Sequence, residues 1–263
     1  GILHSLIVLP AIFYIIFREM GKATHIHLRC PGNIGLIECF VQIFFPWKKK
    51  TAKYAGNWDW SSQQPWSYRL QQLILRNRFL THNMQTLVYG EWPDCIKNIK
   101  PFFTASYSES DKLPVDSDLK ANQLTDIIRL AFVGTLTANK RPLFCIEVAK
   151  LLVSEGLNIK LELCGDGAQR ELLGQYVTDN KLTGSVMFHG NLSGEAVKHV
   201  LQNSHFLLFA SQSEGWPKAV AEAMWWGCVP ITTAVSCVPQ MLGGGRRGSL
   251  IEADVKMASR AIR

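Results

Sequence analysis

Two carboxylates, Glu214 and Glu222, lie eight residues apart around the predicted start of a helix. Pro217 suits the first turn, because its missing N–H would be unpaired there anyway, and Gly227 suits the position just past the end. The first turn of this helix offers three backbone N–H groups, those of Lys218, Ala219 and Val220. A helix N-terminus favours a phosphate or another anion through its N–H groups and its dipole. The stretch therefore predicts an anion site with one carboxylate before it and one behind it.

A second loop, which reads G-T-L-T-A-N-K-R-P, carries Lys140 and Arg141 just before another predicted helix. Two cations beside a helix N-terminus can neutralise a diphosphate, as a departing nucleoside diphosphate requires in the transition state. The alternative for such a pair on a loop is plain solvation. Two shorter loops, G-D-G at Gly165–Gly167 and H-G at His189 and Gly190, follow further predicted strands. Such turns are common, so neither is specific alone.

All of these loops fall at one edge of a predicted parallel sheet. Apolar runs predict strands at 127–133, 159–164, 186–188, 205–209 and 229–232. Helices are predicted between them, at 142–154, 170–180 and 218–227. This alternation indicates a doubly wound α/β domain over residues 127–263, whose ligand crevice lies outside the carboxyl ends of the strands. We expect the four loops to converge on that crevice.

The preceding part of the chain alternates in the same way. Strands are predicted at 25–29, 51–55 and 86–89, and helices at 36–45 and 66–79. The apolar run 3–17 is shorter than the roughly 20 residues of a membrane-spanning helix and lacks a basic leader and a cleavage site. We expect it to form a core helix. A shift to Ser, Asp, Lys and Asn after residue 104 predicts a linker at 111–126.

The net charge of +7 is carried by residues 1–100, which hold 12 Lys and Arg against 5 Asp and Glu. Within it, Lys48–Lys50 beside Phe44–Trp47 either rests on an anionic membrane surface or forms a solvated loop, and the sequence favours neither. No recognition motif for nucleic acid accompanies the charge, so we expect no such partner. The seven cysteines form no metal-binding pattern. They predict buried free thiols in a cytoplasmic protein.

The stretch 213–231, S-E-G-W-P-K-A-V-A-E-A-M-W-W-G-C-V-P-I, resembles the E-G-F-P-x-x-x-x-E-A-M-A-x-G-x-P-V signature of retaining, family 4 type glycosyltransferases. The resemblance implies a GT-B fold, in which two Rossmann-like domains with doubly wound parallel sheets face a crevice. Residues 1–110 would form an incomplete N-terminal acceptor-side domain, and residues 127–263 a donor-binding domain truncated at its C-terminus. The chain begins with Gly and stops in a helical run, so we expect a fragment.

The resemblance also gives roles to the residues of this signature. It implies that Glu214 bonds the hydroxyls of a donor sugar and that Glu222 holds the hydroxyls of a ribose, and a carboxylate is a suitable acceptor for both. The N–H groups of Gly215 and Trp216, ahead of Pro217, would orient the sugar, and those of the following helical turn would bind phosphate. No D-x-D motif is present. We therefore expect no metal or other cofactor beside the nucleotide diphosphate sugar.

The loop that begins at Gly134 resembles the G-R-L-x-x-x-K-G pattern of the same family. Lys140 falls on the Lys of that pattern, which implies that it binds the diphosphate. Thr135 stands where the family usually has Arg. Arg141 occupies the following Gly position, and the sequence leaves open whether it compensates.

The two shorter loops also match family positions. Gly165 and Gly167 resemble the G-x-G turn at which the backbone approaches the nucleotide. His189 and Gly190 match a position close to the nucleobase. We expect His189 to be part of the pocket wall rather than a catalytic base.

The N-terminal half resembles bacterial cell-surface polysaccharide glycosyltransferases. The resemblance rests on the motifs L-R-C-P-G-N-I-G and K-Y-A-G-N-W-D. Many relatives place a His that contacts the donor sugar where this chain has Asn57. That contact is therefore in question.

The combined interpretation is a fragment of a retaining glycosyltransferase. It would move a sugar from a nucleotide diphosphate sugar to a hydroxyl of a glycan or lipid-linked glycan acceptor, in cell-surface polysaccharide or lipopolysaccharide synthesis. We expect it in the cytoplasm or peripherally at the inner face of the cell membrane. Two alternatives stay open: a GT-B-fold epimerase that acts on the nucleotide sugar without an acceptor, and a non-catalytic subunit that binds the nucleotide sugar.

Overall fold

The computed structural model describes residues 2–93, 97–104, 107–108 and 127–263. The chain divides into two compact units, residues 1–103 and 104–263, here called unit 1 and unit 2. The predicted linker, 111–126, lies outside the described residues. Each unit contains one all-parallel sheet with helical connections, which confirms the predicted α/β class.

Unit 1 contains a four-stranded sheet in the order β1-β2-β3-β4. Its elements are α1 (Ile2–Lys22), β1 (His25–Cys30), α2 (Asn33–Val41), a 3-10 turn (Gln42–Phe44), β2 (Lys49–Tyr54), α3 (Trp66–Arg76), β3 (Met84–Tyr89) and β4 (Ile99–Phe102). The three predicted strands are confirmed to within two residues at each end. Strand β4 was not predicted, because Pro101 interrupts an already short apolar run.

The core of unit 1 lies on the buried face of this sheet. In β1 and β2 exposed and buried side chains alternate, as the pleat of a strand requires. Leu28, Ala52 and Val88 are fully buried there, together with Cys39 of α2 and Leu75 of α3. These contacts fix the two helices on the sheet.

Helix α1 differs from the predicted core helix. Its apolar side chains lie on all sides, and large ones are exposed, namely Leu9, Phe13, Tyr14, Ile15 and Phe17. Among the α1 side chains that the structure describes, from residue 8 onward, Ile16 and Met20 pack against the core of unit 1. Because the run is apolar throughout, its periodicity gave no sign of which face would be buried. Among the described residues, no helix combines the length and the apolar character that crossing a membrane requires.

Unit 2 contains a six-stranded parallel sheet in the order β10-β9-β8-β5-β6-β7. Its elements are β5 (Ile128–Val133), α4 (Pro142–Ser154), β6 (Ile159–Cys164), α5 (Arg170–Asp179), β7 (Val186–Gly190), α6 (Gly194–Asn203), β8 (Phe206–Phe209), α7 (Lys218–Trp225), β9 (Val229–Thr233), α8 (Val238–Met241), β10 (Ser249–Ile251) and α9 (Val255–Ile262). The chain winds from β5 to one edge and then from β8 to the other. This doubly wound topology confirms the prediction for this part of the chain.

The local sequence explains several boundaries in unit 2. Pro142 occupies the first turn of α4, where its missing N–H costs nothing. Ser193 and Asp254 cap α6 and α9, since each side chain accepts a hydrogen bond from the backbone N–H three residues on. Leu161 and Leu163 of β6 are fully buried, which is typical of a strand covered on one or both faces.

Six cysteines of the described part of the chain are buried and form no disulfide: Cys30, Cys39, Cys145, Cys164, Cys228 and Cys237. For these six the prediction of buried free thiols is confirmed, and Cys95 lies outside the described residues. Burial raises the pKa of Cys164 to about 12 and that of Cys237 to about 11. A thiol with such a pKa is rarely ionised at neutral pH and is a poor nucleophile.

Candidate functional site

The switch point of the unit 2 sheet lies between β5 and β8, where successive connections leave in opposite directions. In doubly wound folds the ligand crevice forms at this point, outside the carboxyl ends of the strands. A cavity of about 420 Å³ lies there, a size typical of small-molecule sites. It is lined by Val133, Gly134, Lys140, Leu192, Gly194, Val197, Phe209, Trp216, Lys218, Ala219 and Glu222.

Lys140 crosses this cavity from the β5 loop toward the β8 loop. A Cβ atom placed on Gly134 would lie 3.6 Å from Lys140 Cδ, so the aliphatic stem of the lysine runs close to that glycine. The ammonium lies 5.4 Å from the centroid of the Phe209 ring. It donates to Glu214 Oε1 at 2.5 Å, with side-chain exposures of 23% and 10%. The structure thus joins the predicted phosphate cation to the predicted sugar-binding carboxylate.

Helix α7 begins at the cavity but offers fewer backbone donors than predicted. Lys218 N–H donates to Trp216 O at 2.8 Å, and Val220 N–H donates to Pro217 O at 3.0 Å. The cause is the tight turn at Pro217, where ψ is 75°. Of the three predicted donors, only the Ala219 N–H has no acceptor within the described part of the chain.

Glu222 lies one turn into α7 and is 7% exposed. It forms an ion pair with Lys218, whose Nζ lies 3.0 Å from Glu222 Oε1. Both residues line the cavity. Glu222, which is predicted to hold the ribose hydroxyls, therefore has its carboxylate at the cavity wall. The Lys218 ammonium, from the same helix, lies beside it.

The G-D-G turn supports the β5 loop directly. Gly165 has φ of 141°, and a Cβ atom placed on it would lie 1.9 Å from Gly134 O. A Cβ atom on Gly167 would lie 2.6 Å from Leu136 O. Leu136 N–H donates to Asp166 O at 3.0 Å. These glycines allow one loop backbone to contact another, and the implied approach of this turn to a nucleotide stays a prediction.

Arg141 lies away from the cavity lining. It has left-handed backbone angles, φ 52° and ψ 51°, just before α4. Its Nε and Nη2 each lie 3.2 Å from one terminal atom of the Gln212 side-chain amide, and they donate to that atom when it is assigned as the oxygen. Thr135, at the position of the family Arg, is exposed and uncharged. Arg141 is thus already bonded within the protein.

A set of loop contacts that the sequence did not predict holds Glu214 near Lys140. Asn139 Nδ2 donates to Ser213 O at 3.0 Å, and Gln212 N–H donates to Asn139 O at 2.9 Å. From the next loop, Ser236 Oγ donates to Gly215 O at 3.0 Å. Asn and Ser side chains commonly bond loop backbones, but nothing in the sequence indicates the partner when it lies 74 residues away.

His189 lies at the end of β7 and is bonded to a neighbouring strand. Its Nε2 lies 3.2 Å from Glu162 Oε2, and Arg129 contacts the same carboxylate at 3.9 Å. Gly190, with φ of 66°, accepts a hydrogen bond from Gly165 N–H through its carbonyl. His189 is not among the residues that line the cavity described above.

In unit 1, Asn57 is 5% exposed and is bonded both to its own loop and to α3. Its Oδ1 accepts from Asp59 N–H at 3.0 Å, and its carbonyl accepts from Gln72 Nε2 at 2.8 Å. The following Trp58 packs between the Tyr54 ring and the Arg76 guanidinium. These contacts give Asn57 a structural role in shaping the loop after β2.

Comparison with known proteins supports the fold. The crystal structure of TarM, a protein of S. aureus, superposes with a TM-score of 0.72 at 16% identity, over 95% of this chain and 50% of TarM. Anabaena HepE in complex with UDP-glucose gives 0.71 at 12% identity, over 95% of this chain and 71% of HepE. The lipopolysaccharide outer core galactosyltransferase WaaB gives 0.68 at 15% identity, over 98% and 71%. These likenesses show the GT-B fold.

Sequence comparison identifies the family. The phosphatidylinositol N-acetylglucosaminyltransferase GPI3 subunit of Saccharomyces cerevisiae is 27% identical over 150 residues, which are 57% of this chain and 33% of the yeast protein. This chain thus spans a third of that relative and half of TarM. Residues 117–263, more than half of the chain, match the family described as glycosyl transferases group 1. The chain belongs to that family.

Proposed function

We propose that unit 2 binds a nucleotide diphosphate sugar and that the protein transfers the sugar to a hydroxyl acceptor with retention at the anomeric carbon. The observation that carries this proposal is the arrangement at the switch-point cavity, where Lys140 and Glu214 are bonded and Glu222 lies on the wall. The cation suits a diphosphate, and the two carboxylates suit paired hydroxyls. HepE and TarM have been crystallised with UDP-glucose and UDP, which supports a nucleotide donor here.

The proposed mechanism uses position and charge rather than a protein nucleophile. Lys140 would stabilise the negative charge that develops on the departing diphosphate, and the leaving phosphate would assist the incoming hydroxyl on the same face of the sugar. Glu214 would fix the sugar through its hydroxyls, so that the anomeric carbon faces the acceptor. We propose that the lysine and the α7 end handle the phosphate charge without a metal ion, so nucleotide affinity should be unchanged by EDTA.

The direct test is a calorimetric screen of the chain against UDP, GDP, ADP, CDP and dTDP. We expect one of them to bind, and Lys140→Ala to weaken its binding about tenfold, because a charge-assisted bond to phosphate is lost. Lys256→Ala is the matched control, since Lys256 is exposed on α9. Failure of all five to bind, or equal affinities for the two variants, would contradict the proposed donor site.

The two alternative activities are separated by their products. The sugar nucleotide of the base selected in the screen is incubated with the chain, with and without a glycan acceptor. A transferase releases nucleoside diphosphate faster when acceptor is present. An epimerase gives an altered sugar without acceptor, and a non-catalytic subunit gives neither product although the nucleotide binds.

We further propose that the acceptor is a glycan or a lipid-linked glycan and that unit 1 rests peripherally on an anionic membrane surface at the cytoplasmic face. Ring contacts join Phe13, Phe17, Phe44, Phe45 and Trp47. Phe44 and Trp47 are 57% and 69% exposed. Of the three lysines predicted to lie beside them, only Lys49 is exposed, because Lys50 is buried in β2 and Lys48 donates to the carbonyls of Gly21 and Ala23. The exposed rings, together with Lys49, suit the headgroup region of a bilayer. WaaB, a lipopolysaccharide galactosyltransferase, shares the fold and supports a role in cell-surface polysaccharide or lipopolysaccharide synthesis.

A further inference from the structure

The cavity of unit 2 contains two lysines and two glutamates whose charges are already matched. Lys140 is bonded to Glu214 and Lys218 to Glu222, with N–O distances of 2.5 and 3.0 Å. The four side chains therefore sum to zero charge. A nucleotide diphosphate brings two or more negative charges, and its ribose brings hydroxyl donors. Binding it requires cations that can leave their carboxylates.

The two ion pairs differ in how easily they can separate. The side chain of Lys218 is 64% exposed, whereas that of Lys140 is 23% exposed. Because the Lys218 ammonium is largely exposed, water can solvate it when it leaves Glu222, so the lysine itself moves at little cost. Glu222, in contrast, is buried, so its carboxylate needs other hydrogen-bond donors once Lys218 has moved away. Hydroxyl groups of a ligand can supply them.

Other groups that could hold the second phosphate are already bonded or carry no charge. Arg141 is bonded to Gln212, and Thr135 has no charge. Two of the three predicted N–H donors of α7 are bonded to backbone carbonyls. Lys218 is the first residue of α7 and lines the cavity together with Lys140. Its ammonium is therefore the second mobile cation at this site.

We propose that Lys218 determines specificity for a diphosphate: its ammonium moves from Glu222 to the phosphate furthest from Lys140, while ligand hydroxyls take its place on Glu222. This inference rests on the proposed function of the cavity. Each carboxylate exchanges a lysine for hydroxyl donors, and each lysine exchanges a carboxylate for a phosphate oxygen. Each of the four charged side chains thereby keeps a charge-assisted hydrogen bond.

The experiment compares the tightest of the five nucleoside diphosphates with its own monophosphate, by calorimetry on the 263-residue chain. Lys218→Met should weaken the diphosphate about tenfold and the monophosphate much less, because only the diphosphate reaches a second cation. Lys218→Arg should retain most of the affinity. Lys256→Met is the control for loss of an exposed lysine in unit 2.

A double variant separates direct contact from support of Glu222. If Lys218 only positions Glu222, its removal should have no effect in the Glu222→Gln background. If Lys218 binds phosphate, Lys218→Met should still weaken the diphosphate about tenfold there. Equal weakening of both nucleotides, or no weakening, overturns the inference and leaves the donor site standing. Absence of binding to the unaltered chain overturns the proposed function itself and the inference with it.

Discussion

Within the described residues, each unit buries one charged side chain, and the two differ in whether an oppositely charged partner lies beside them. Lys50 of unit 1 is 2% exposed and donates to the Gln42 carbonyl at 3.2 Å. The part of the chain that the structure describes gives it no carboxylate. Glu222 of unit 2 is 7% exposed, but it has a lysine partner and faces a cavity. A buried charge with an exchangeable partner suits a ligand site, whereas Lys50 is a cost to stability.

The same contrast holds for the whole charge distribution. Residues 1–103 hold 12 Lys and Arg against 5 Asp and Glu, and residues 104–263 hold 16 against 16. The net charge of +7 thus belongs entirely to unit 1. Most of the large exposed apolar side chains of the described residues are also in unit 1. This distribution supports the proposals that unit 2 binds a nucleotide sugar and that unit 1 rests on an anionic membrane surface.

Gly165→Ala should have the largest effect, and it tests whether unit 2 depends on close contact between its loops. The new Cβ would lie 1.9 Å from Gly134 O, at a φ of 141° that L side chains rarely adopt. We expect a loss of about 3 kcal/mol or more in the free energy of unfolding, and loss of nucleotide binding. Gly184→Ala is the control, because nothing lies within 4 Å of its added Cβ. Urea unfolding and calorimetry measure both quantities, and equal behaviour of the two variants would contradict the close contact.

Lys50→Met tests the buried charge of unit 1. Burial lowers the pKa of Lys50 to about 8, below the ordinary value of about 10.4 in the unfolded chain. Between these values the unfolded state binds more protons, so the cost of Lys50 to stability is full below about pH 8 and falls to zero as the pH rises above the unfolded pKa. We expect Lys50→Met to stabilise the chain at pH 7 by on the order of 2 kcal/mol, and the gain to shrink toward pH 10.

The control for this prediction is Lys49→Met, because Lys49 is the exposed neighbour on the same strand. Buried thiols act in the opposite direction, since their raised pKa removes stability as the pH increases. The free energy of unfolding of each variant is therefore compared with that of the unaltered chain at the same pH, so that the contribution of the thiols cancels. A gain for Lys50→Met that does not change with pH would show that the lysine is not titrating in this range.

Removal of the exposed aromatic residues tests the surface of unit 1. Vesicles of phosphatidylcholine mixed with phosphatidylglycerol should bind the chain, and vesicles of pure phosphatidylcholine should bind it weakly. The double change Phe44→Ser and Trp47→Ser should reduce binding to the anionic vesicles about tenfold, because two exposed rings no longer enter the headgroup region. Co-sedimentation measures the bound fraction.

Trp66→Ser is the matched control for this surface, because Trp66 is 73% exposed at the start of α3, after the opposite end of β2. Sedimentation velocity in the absence of vesicles tests whether a second copy of the chain covers Phe44 and Trp47 instead of a membrane. Self-association that the double change abolishes would show that a second copy covers the rings. Equal binding to neutral and anionic vesicles would contradict the electrostatic part of the proposal.

The sequence predicted the element bounds best in unit 2, where buried apolar runs alternate regularly between strands and helices. The ranges 142–154 and 159–164 were predicted to the residue, because a Pro start and a short buried run leave little choice. Prediction from the sequence failed where an element had no polar face or was very short. Helix α1 is apolar on every side, so its exposed face could not be found, and β10 has only three residues.

For the site, topology could be predicted and side-chain partners could not. The carboxyl ends of parallel strands must meet at one edge, so Lys140 and Glu214 were placed on the same edge from the strand pattern alone. Their ion pair links residues 74 positions apart, and only the folded loops bring them together. The occupied N–H groups of α7 depend on the backbone angle at Pro217, which residue type does not fix. Arg141 likewise has a partner that no local pattern indicates.

Asn139→Ala should have the smallest effect. It tests whether hydrogen bonds between loops position the unit 2 site, in contrast to the bonds within a single loop that hold the loop after β2 in unit 1. That unit 1 loop is bonded internally, for example by Ser61 N–H to Asp59 Oδ1 at 2.9 Å. In unit 2, Asn139 Nδ2 bonds across to Ser213 O, next to Glu214. Loss of one such neutral bond costs about 1 kcal/mol of stability. We also expect nucleotide affinity to fall about threefold to fivefold, because Glu214 is then held less firmly near Lys140.

The matched control is Asn180→Ala, which also removes a bond from a side-chain amide to a backbone carbonyl, that of Tyr176, at 2.8 Å. Asn180 follows α5 and is not among the residues that line the cavity. If the bond between loops positions Glu214, only Asn139→Ala should weaken nucleotide binding, and both variants should unfold at similar urea concentrations. A fall in stability without a change in affinity would mean that the contact across the loops holds the fold and not the site. The difference between the units would then rest on the paired charges of the cavity alone.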